Sequence, residues 1–192
     1  MEAILTPANG VLIGLNALVM VVTLVAGTTI VDGIYAMGVM DWELILNQGE
    51  YYRLFTSMFL HFGFEHFFQN MVFLFFIGCF LETAMGSVKY FIFYLLTGLG
   101  AGVCSLIYDS TMQLNVVSAG ASGAIFGVVG GLFWVVIRNK GNYKGIGIQG
   151  MILMVVAILY YGFTSTDVDN VAHVGGLLCG VLLGVLFYRK KS

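Results

Sequence analysis

Few residues in this chain can do covalent chemistry. Ser122 lies in the stretch 118–131, SAGASGAIFGVVGG, flanked as Gly120-Ala121-Ser122-Gly123. Small neighbours let the backbone turn sharply and leave a hydroxyl approachable, as a nucleophile requires. The other polar side chains inside apolar runs are His66, Asn70 and His173, with Glu82 near the end of the run that carries His66. Such groups are costly in a bilayer and are functional candidates by default. A hydroxyl and an imidazole are the minimum for nucleophilic catalysis, the imidazole taking the hydroxyl proton. Taken alone, the small residues of 118–131 read as helix packing surface, so the case for chemistry rests on what surrounds Ser122.

Composition sets the class of element that must position these groups. The 192 residues are 59% hydrophobic and only 9% charged, with a mean hydropathy of +0.96. Those values exclude an ordinary soluble domain and predict an all-α polytopic membrane protein of one domain, 1–192. Twenty-six glycines against one proline suggest close helix packing with few kinks. A net charge of −2 offers no nucleic-acid footprint. Cys79, Cys104 and Cys179 lie in apolar stretches without CxxC spacing and read as buried small hydrophobes. Without a basic leader and a small-residue cleavage site, the first apolar run is expected to be a retained span.

Six spans are expected, at about 10–31, 65–84, 88–108, 122–137, 146–163 and 171–188, each near the ~20 residues that cross a hydrocarbon core. Seven of the eight basic residues, Lys89, Arg138, Lys140, Lys144, Arg189, Lys190 and Lys191, fall on one side of this arrangement. By the positive-inside rule both termini are cytoplasmic. The outer loop 32–64 is too apolar for water. It either lies in the outer interface, with Trp42, Tyr51 and Tyr52 at headgroup depth, or packs against protein.

Ser122, His173 and His66 each lie sixteen residues from a charge at the inner boundary, Arg138, Arg189 and Glu82 respectively. At ~1.5 Å per residue all three stand roughly 24 Å above that boundary, short of the ~30 Å core. The fourth span is thus too short to cross alone, and 112–121 must dip inward to meet it, leaving Ser122 in a wet depression. Gly176, Gly180 and Gly184 give His173 a smooth face, and Gly123, Gly127, Gly130 and Gly131 give Ser122 another, so the two helices can approach closely. The helix N-terminus at Ser122, with His66 and Asn70, offers N–H donors for an oxyanion. Plainer readings stand beside these: His173 satisfied by a carbonyl, Asn70 bonding between helices, Glu82 as a boundary or loop anchor. No acidic residue is well placed as a third triad member, and Asp169 with Asn170 is expected to cap the sixth span.

These residues resemble the rhomboid family of intramembrane serine proteases. The resemblance runs from Arg53 onward: Arg53 in the first loop, the series His61, His66 and Asn70, Glu82 before Gly86-Ser87, Gly120-Ala121-Ser122-Gly123, and Ala172-His173 followed by Gly176 and Gly180. It implies a six-helix bundle in which Ser122 attacks a peptide carbonyl, His173 acts as base and then acid, and His66 and Asn70 with the Ser122 N–H hold the oxyanion. Gly120, Gly123, Phe126, Gly176 and Gly180 would support the site, and Arg53, His61 and Glu82 the loops. Phe126 replaces a Tyr of some relatives and could stack on His173 without donating a hydrogen bond. Tyr52 replaces a Trp, which changes interface anchoring.

The expected activity is hydrolysis of transmembrane-helix substrates near their outer end, in favour of small residues at the cut. Substrate would pass the fifth span and the loop after it. No metal, cofactor or nucleic acid is implied, and the setting suggested is a prokaryotic plasma membrane. The alternatives are a non-catalytic helix-binding protein on the same scaffold and a transporter, the latter disfavoured because no repeated halves or broken helices appear.

Overall fold

The computed structural model describes residues 5–26, 28–165 and 168–190. Its helices are α1 (Pro7–Val25), α2 (Thr28–Gly38), α3 (Trp42–Gln48), α4 (Arg53–Thr56), α5 (Phe64–Met85), α6 (Ser87–Met112), α7 (Ser122–Arg138), α8 (Ile148–Thr164) and α9 (Asn170–Phe187). A two-residue hairpin, β1 (Asn142–Tyr143) and β2 (Ile146–Gly147), joins α7 to α8. Helices α1, α5, α6 and α9 are long and apolar enough to cross a membrane, and α7 and α8 are shorter apolar helices. The protein is a polytopic membrane bundle of helices.

Helix α7 is its axis. Residues Gly123 to Leu132 are buried without interruption, as are Val135 and Val136. A helix buried on every side must be surrounded by others. Helices α5, α6 and α9 pack around α7, and α1 closes the far side of α5 and α6. Tyr90, Phe93 and Tyr94 of α6 fill the space between them with Leu74, Leu81 and Leu132. Against α9 the contact is backbone on glycine. A Cβ at Gly176 would collide with the Gly123 carbonyl oxygen, one at Gly180 with that of Gly127, and one at Gly130 with that of Leu177. Only glycines permit this approach.

Several boundaries differ from the sequence expectation. The first span starts at Pro7, favoured at a first helical turn, and ends where Ala26 turns extended at φ −72°, ψ 135°. The 32–64 segment is largely helical and half packed. Asp41 caps α3 by accepting from the Glu43 and Leu44 amides at 2.9 and 3.3 Å, and Gly49 ends it in the left-handed region at φ 75°. Trp42 donates from its indole to the Leu114 carbonyl at 2.7 Å and packs on Met40, Ile45 and Leu106. Tyr51 and Tyr52 remain exposed. Buried Arg53 donates to the Val39 and Ala36 carbonyls at 3.0 and 2.7 Å and to Glu50 at 2.6 Å, tying α2 to α4 and holding the Glu50 carboxyl below its usual pKa. Helix α6 runs four residues past Tyr108 before Gln113 stops it at φ 52°, so the descending loop is 113–121 and does not include Met112.

Candidate active site

Ser122 is the first residue of α7 and is partly exposed. Its seventeen-residue helix is about 25 Å long at ~1.5 Å per residue, shorter than a ~30 Å core. The loop before it is held by backbone bonds. Met40 and Ser118 exchange N–H to carbonyl bonds of 2.9 and 3.0 Å, and the Gly120 amide donates to the Ser57 carbonyl at 2.9 Å. The Ala121 amide donates to His61 Nε2 at 3.4 Å. The first intrahelical bond of α7 runs from the Ile125 amide to the Ala121 carbonyl, which leaves the amides of Ser122, Gly123 and Ala124 without helical acceptors.

Gly120 is required twice over. Its φ of +135° is a conformation that L side chains rarely adopt, and a Cβ there would lie 2.8 Å from His66 Cε1, 3.0 Å from His66 Nε2 and 3.7 Å from Ser122 Oγ. The missing side chain is thus the space between the serine hydroxyl and the edge of the His66 ring. His66 also meets His61 edge to face, with centroids 5.2 Å apart.

His61, outside the spanning helices, is buried among His66, Phe67 and the Ala121 amide. Burial, with His66 adding to it, pushes its pKa down to about 4, so the imidazole is neutral at pH 7 and its Nε2 can accept. Its carbonyl takes the Tyr35 hydroxyl.

His173 is buried in the first turn of α9, its ring stacked on Phe126 with centroids 4.2 Å apart and planes at 14°. One residue before it, Ala172 lies against Gly123, one residue after Ser122: a Cβ at Gly123 would be 3.8 Å from both the Ala172 Cβ and its carbonyl oxygen. The glycine contact therefore brings the two helix starts together. Among the described residues, Ser122 and His173 form no hydrogen bond with each other, and His173 Nδ1 is buried without a partner. Asn70 is buried one turn below His66 and gives one amide N–H to the His66 carbonyl at 2.9 Å, leaving its second N–H uncommitted.

Two of the residues singled out lie elsewhere. Arg53 belongs to the loop framework. Glu82 sits at the opposite end of the bundle, where Thr6 Oγ1, the Ala8 and Asn9 amides and Ser87 Oγ donate to it at 2.5 to 3.0 Å. It caps the N-terminus of α1, a favoured place for a carboxylate. One residue does more than the sequence suggested. Asp169 caps α9 through the Ala172 amide at 2.8 Å, and its other oxygen accepts from Ser105 at 2.5 Å and Ser118 at 2.9 Å. Its spacing announces the cap, but no sequence signal links it to two serines 64 and 51 residues away. Asn170 turns from the cap and donates to the Gly162 carbonyl at 3.0 Å.

A carbonyl brought to the start of α7 beside Gly120 would have the Ser122 hydroxyl, the edge of the His66 ring and the free helix-terminal amides as its neighbours. Among the described residues no group of acidic, histidine or cysteine side chains is arranged to hold a metal.

The rhomboid domain family model matches residues 48–190. Rhomboid protease GluP of Bacillus subtilis (strain 168) is 32% identical over 167 residues, which is 86% of this chain and 32% of that protein. RHOMBOID-like protein 5 of Arabidopsis thaliana is 39% identical over 158 residues, 81% of this chain and 50% of that protein. Putative rhomboid protease YdcA of Bacillus subtilis (strain 168) is 32% identical over 155 residues, 80% of this chain and 76% of that protein. The chain spans from about a third to half the length of the first two of these relatives. With the domain model covering most of the chain and two of these relatives bearing the name protease, this membrane protein belongs to the rhomboid family.

Proposed function

We propose that the protein is an intramembrane serine endopeptidase that cuts transmembrane-helix substrates near their outer end. The observation that carries this reading is the glycine-on-carbonyl packing of α7 against α9, which puts Ser122 and His173 at the starts of two touching helices. In the proposed reaction His173 takes the Ser122 hydroxyl proton as Oγ bonds to the scissile carbonyl carbon. The carbonyl oxygen becomes an oxyanion held by the free α7 amides, His66 and the second Asn70 N–H. On collapse of this intermediate the C–N bond breaks and His173 returns the proton to the leaving amine. Water, deprotonated by the same imidazole, then attacks the acyl ester and frees Ser122. Phe126 holds the ring in plane, and the dyad needs no carboxylate on Nδ1.

In this reading both termini are cytoplasmic, the site opens on the outer side of a prokaryotic plasma membrane, and substrate passes α8. That helix leaves Leu153, Tyr160 and Phe163 exposed, which supports its being the loosest wall of the bundle.

The test is cleavage of a single-span reporter by protein in proteoliposomes. Ser122→Ala is expected to lower the rate by at least about 10⁴-fold without altering folding or insertion. Undiminished cleavage would overturn the proposal. A second reading, binding of client helices without cleavage, draws on the missing Ser122–His173 hydrogen bond. It predicts association without products, and fluorophosphonate labelling of Ser122 that disappears in His173→Ala counts against it.

A further inference from the structure

Asp169 occupies a position that capping alone does not require. One carboxylate oxygen accepts from the Ala172 amide and completes the N-cap of α9. The other accepts from Ser105 Oγ of α6 at 2.5 Å and from Ser118 Oγ at 2.9 Å. Ser118 belongs to the loop that leads into Ser122, four residues ahead of it, and Asp169 stands four residues ahead of His173. The His173 amide donates to the Asp169 carbonyl at 3.1 Å, so the carboxylate is fixed to the turn that carries the imidazole. A small cavity of about 40 Å³ lies along this junction, with Asp169, Ser118, Gly120 and Ser122 among its walls.

The geometry points to Asp169 as a positioning residue for the dyad, a carboxylate clamp that sets the nucleophile loop against the base helix through Ser118. It rests on the proteolytic reading of Ser122 and His173 and adds a determinant of their distance. The physical reason is that the glycine contact between α7 and α9 fixes how closely the axes approach but does not itself hold the loop 113–121 to the turn that carries His173. Backbone bonds to Met40 and Ser57 tie that loop to the 32–64 segment. Among the described residues, Ser118 Oγ to Asp169 is its side-chain hydrogen bond to the helix of His173. Charge-assisted bonds of this kind are the strong ones, and a carboxylate that accepts from three elements cannot follow one without the others.

Ser118→Ala removes the loop's share of the clamp and leaves the α9 cap intact. The expected result is a fivefold to tenfold slower fluorophosphonate labelling of Ser122 and an equal fall in kcat on a single-span reporter, with KM and the melting temperature unchanged. Amide exchange at 118–122 should quicken to a similar degree. Ser118→Thr, which restores the hydroxyl, should recover the parent rates. Asp169→Asn keeps an oxygen for the Ala172 amide but presents an NH₂ group where the acceptor was, and combined with Ser118→Ala it should slow labelling no further than Ser118→Ala alone. Parent-like labelling and exchange in Ser118→Ala would overturn the clamp, as would a loss that tracks the melting temperature. If the parent protein does not label at all, the proteolytic reading fails, and the exchange rates of Ser118→Ala and Ser118→Thr still decide whether the clamp exists.

Discussion

The two ends of this bundle hold buried polar groups in opposite conditions. At the basic end, Glu82 is closed by four donors, and beside it Asn9 gives its amide to the Leu74 carbonyl at 2.9 Å while its oxygen accepts the Tyr90 hydroxyl at 2.6 Å. At the Ser122 end, among the described residues, His173 Nδ1 is buried without a partner, and three α7 amides lack helical acceptors. A buried polar atom left unpaired costs about 1–3 kcal/mol. The first cluster recovers that cost within the fold and so acts as a lock. The second does not, and the amides left free at the start of α7 are available to an acceptor that reaches them. Among the described residues unpaired atoms also occur at Asn16 Oδ1 and Trp134 Nε1, so it is the place of the free α7 amides, at a helix start beside the Ser122 hydroxyl, that separates a candidate site from an imperfection.

That contrast can be broken by exchanging the damage. Glu82→Ala strands the α1 amides and two hydroxyls, and is expected to cost about 4 kcal/mol of stability. Its activity should fall only as far as the folded fraction falls, which unfolding in denaturing detergent and activity per folded molecule can separate. A specific activity well below the parent's would mean that the basic end also serves the chemistry.

The second largest effect concerns pH. The folded pKa of His61 is about 4 against an ordinary 6.5, so the unfolded chain binds the additional proton between those values. Stability is therefore fully present above pH 6.5 and is lost as pH falls toward 4, by about 3 kcal/mol in all at ~1.4 kcal/mol per pH unit. Protonation also removes the acceptor of the Ala121 amide and so disturbs the Ser122 end first. Melting temperatures measured from pH 7.5 to 4.5 should show the slope, and His61→Gln should make it shallower by the share that His61 contributes. A slope unchanged in His61→Gln would assign it to other groups.

Next comes the contact that makes the Ser122 end possible. A Cβ at Gly180 meets the Gly127 backbone, which cannot rotate aside as a side chain can. Gly180→Ala should cost about 2 kcal/mol through overpacking and, by separating α7 from α9, slow Ser122 labelling more than it lowers the melting temperature. Equal effects on both would reduce the glycine face to general packing.

How much of this was readable beforehand depends on the range of each interaction. The apolar spans and the glycine stripes of α7 and α9 repeat along one helix, so spacing alone reveals them. The common level of Ser122 and His66 follows from helical rise, and in the fold both face the space above Gly120. The helices inside 32–64 were not readable, because an apolar segment packed on several sides has no single period. The threefold role of Asp169 was equally hidden, since Ser105 and Ser118 reach it only through tertiary packing. Glu82 lay between the two cases: its place at a helix boundary was legible and its donors were not.

The smallest expected effect tests whether an unsatisfied imidazole needs more than burial to stay in place. Among the described residues His173 has no hydrogen bond at Nδ1, and the Phe126 ring at 4.2 Å is the aromatic surface that restrains its tilt. Such a stack is worth about 1 kcal/mol beyond the area it buries. Phe126→Leu keeps most of the volume and loses the flat face. It should lower kcat about fivefold, leave KM unchanged and shift the melting temperature little. Phe126→Tyr keeps the face and should stay near the parent rate. If Phe126→Leu also cleaves at that rate, the ring is held by the walls of α7 and α9 alone, and the Ser122 end is more rigid than its missing hydrogen bonds imply.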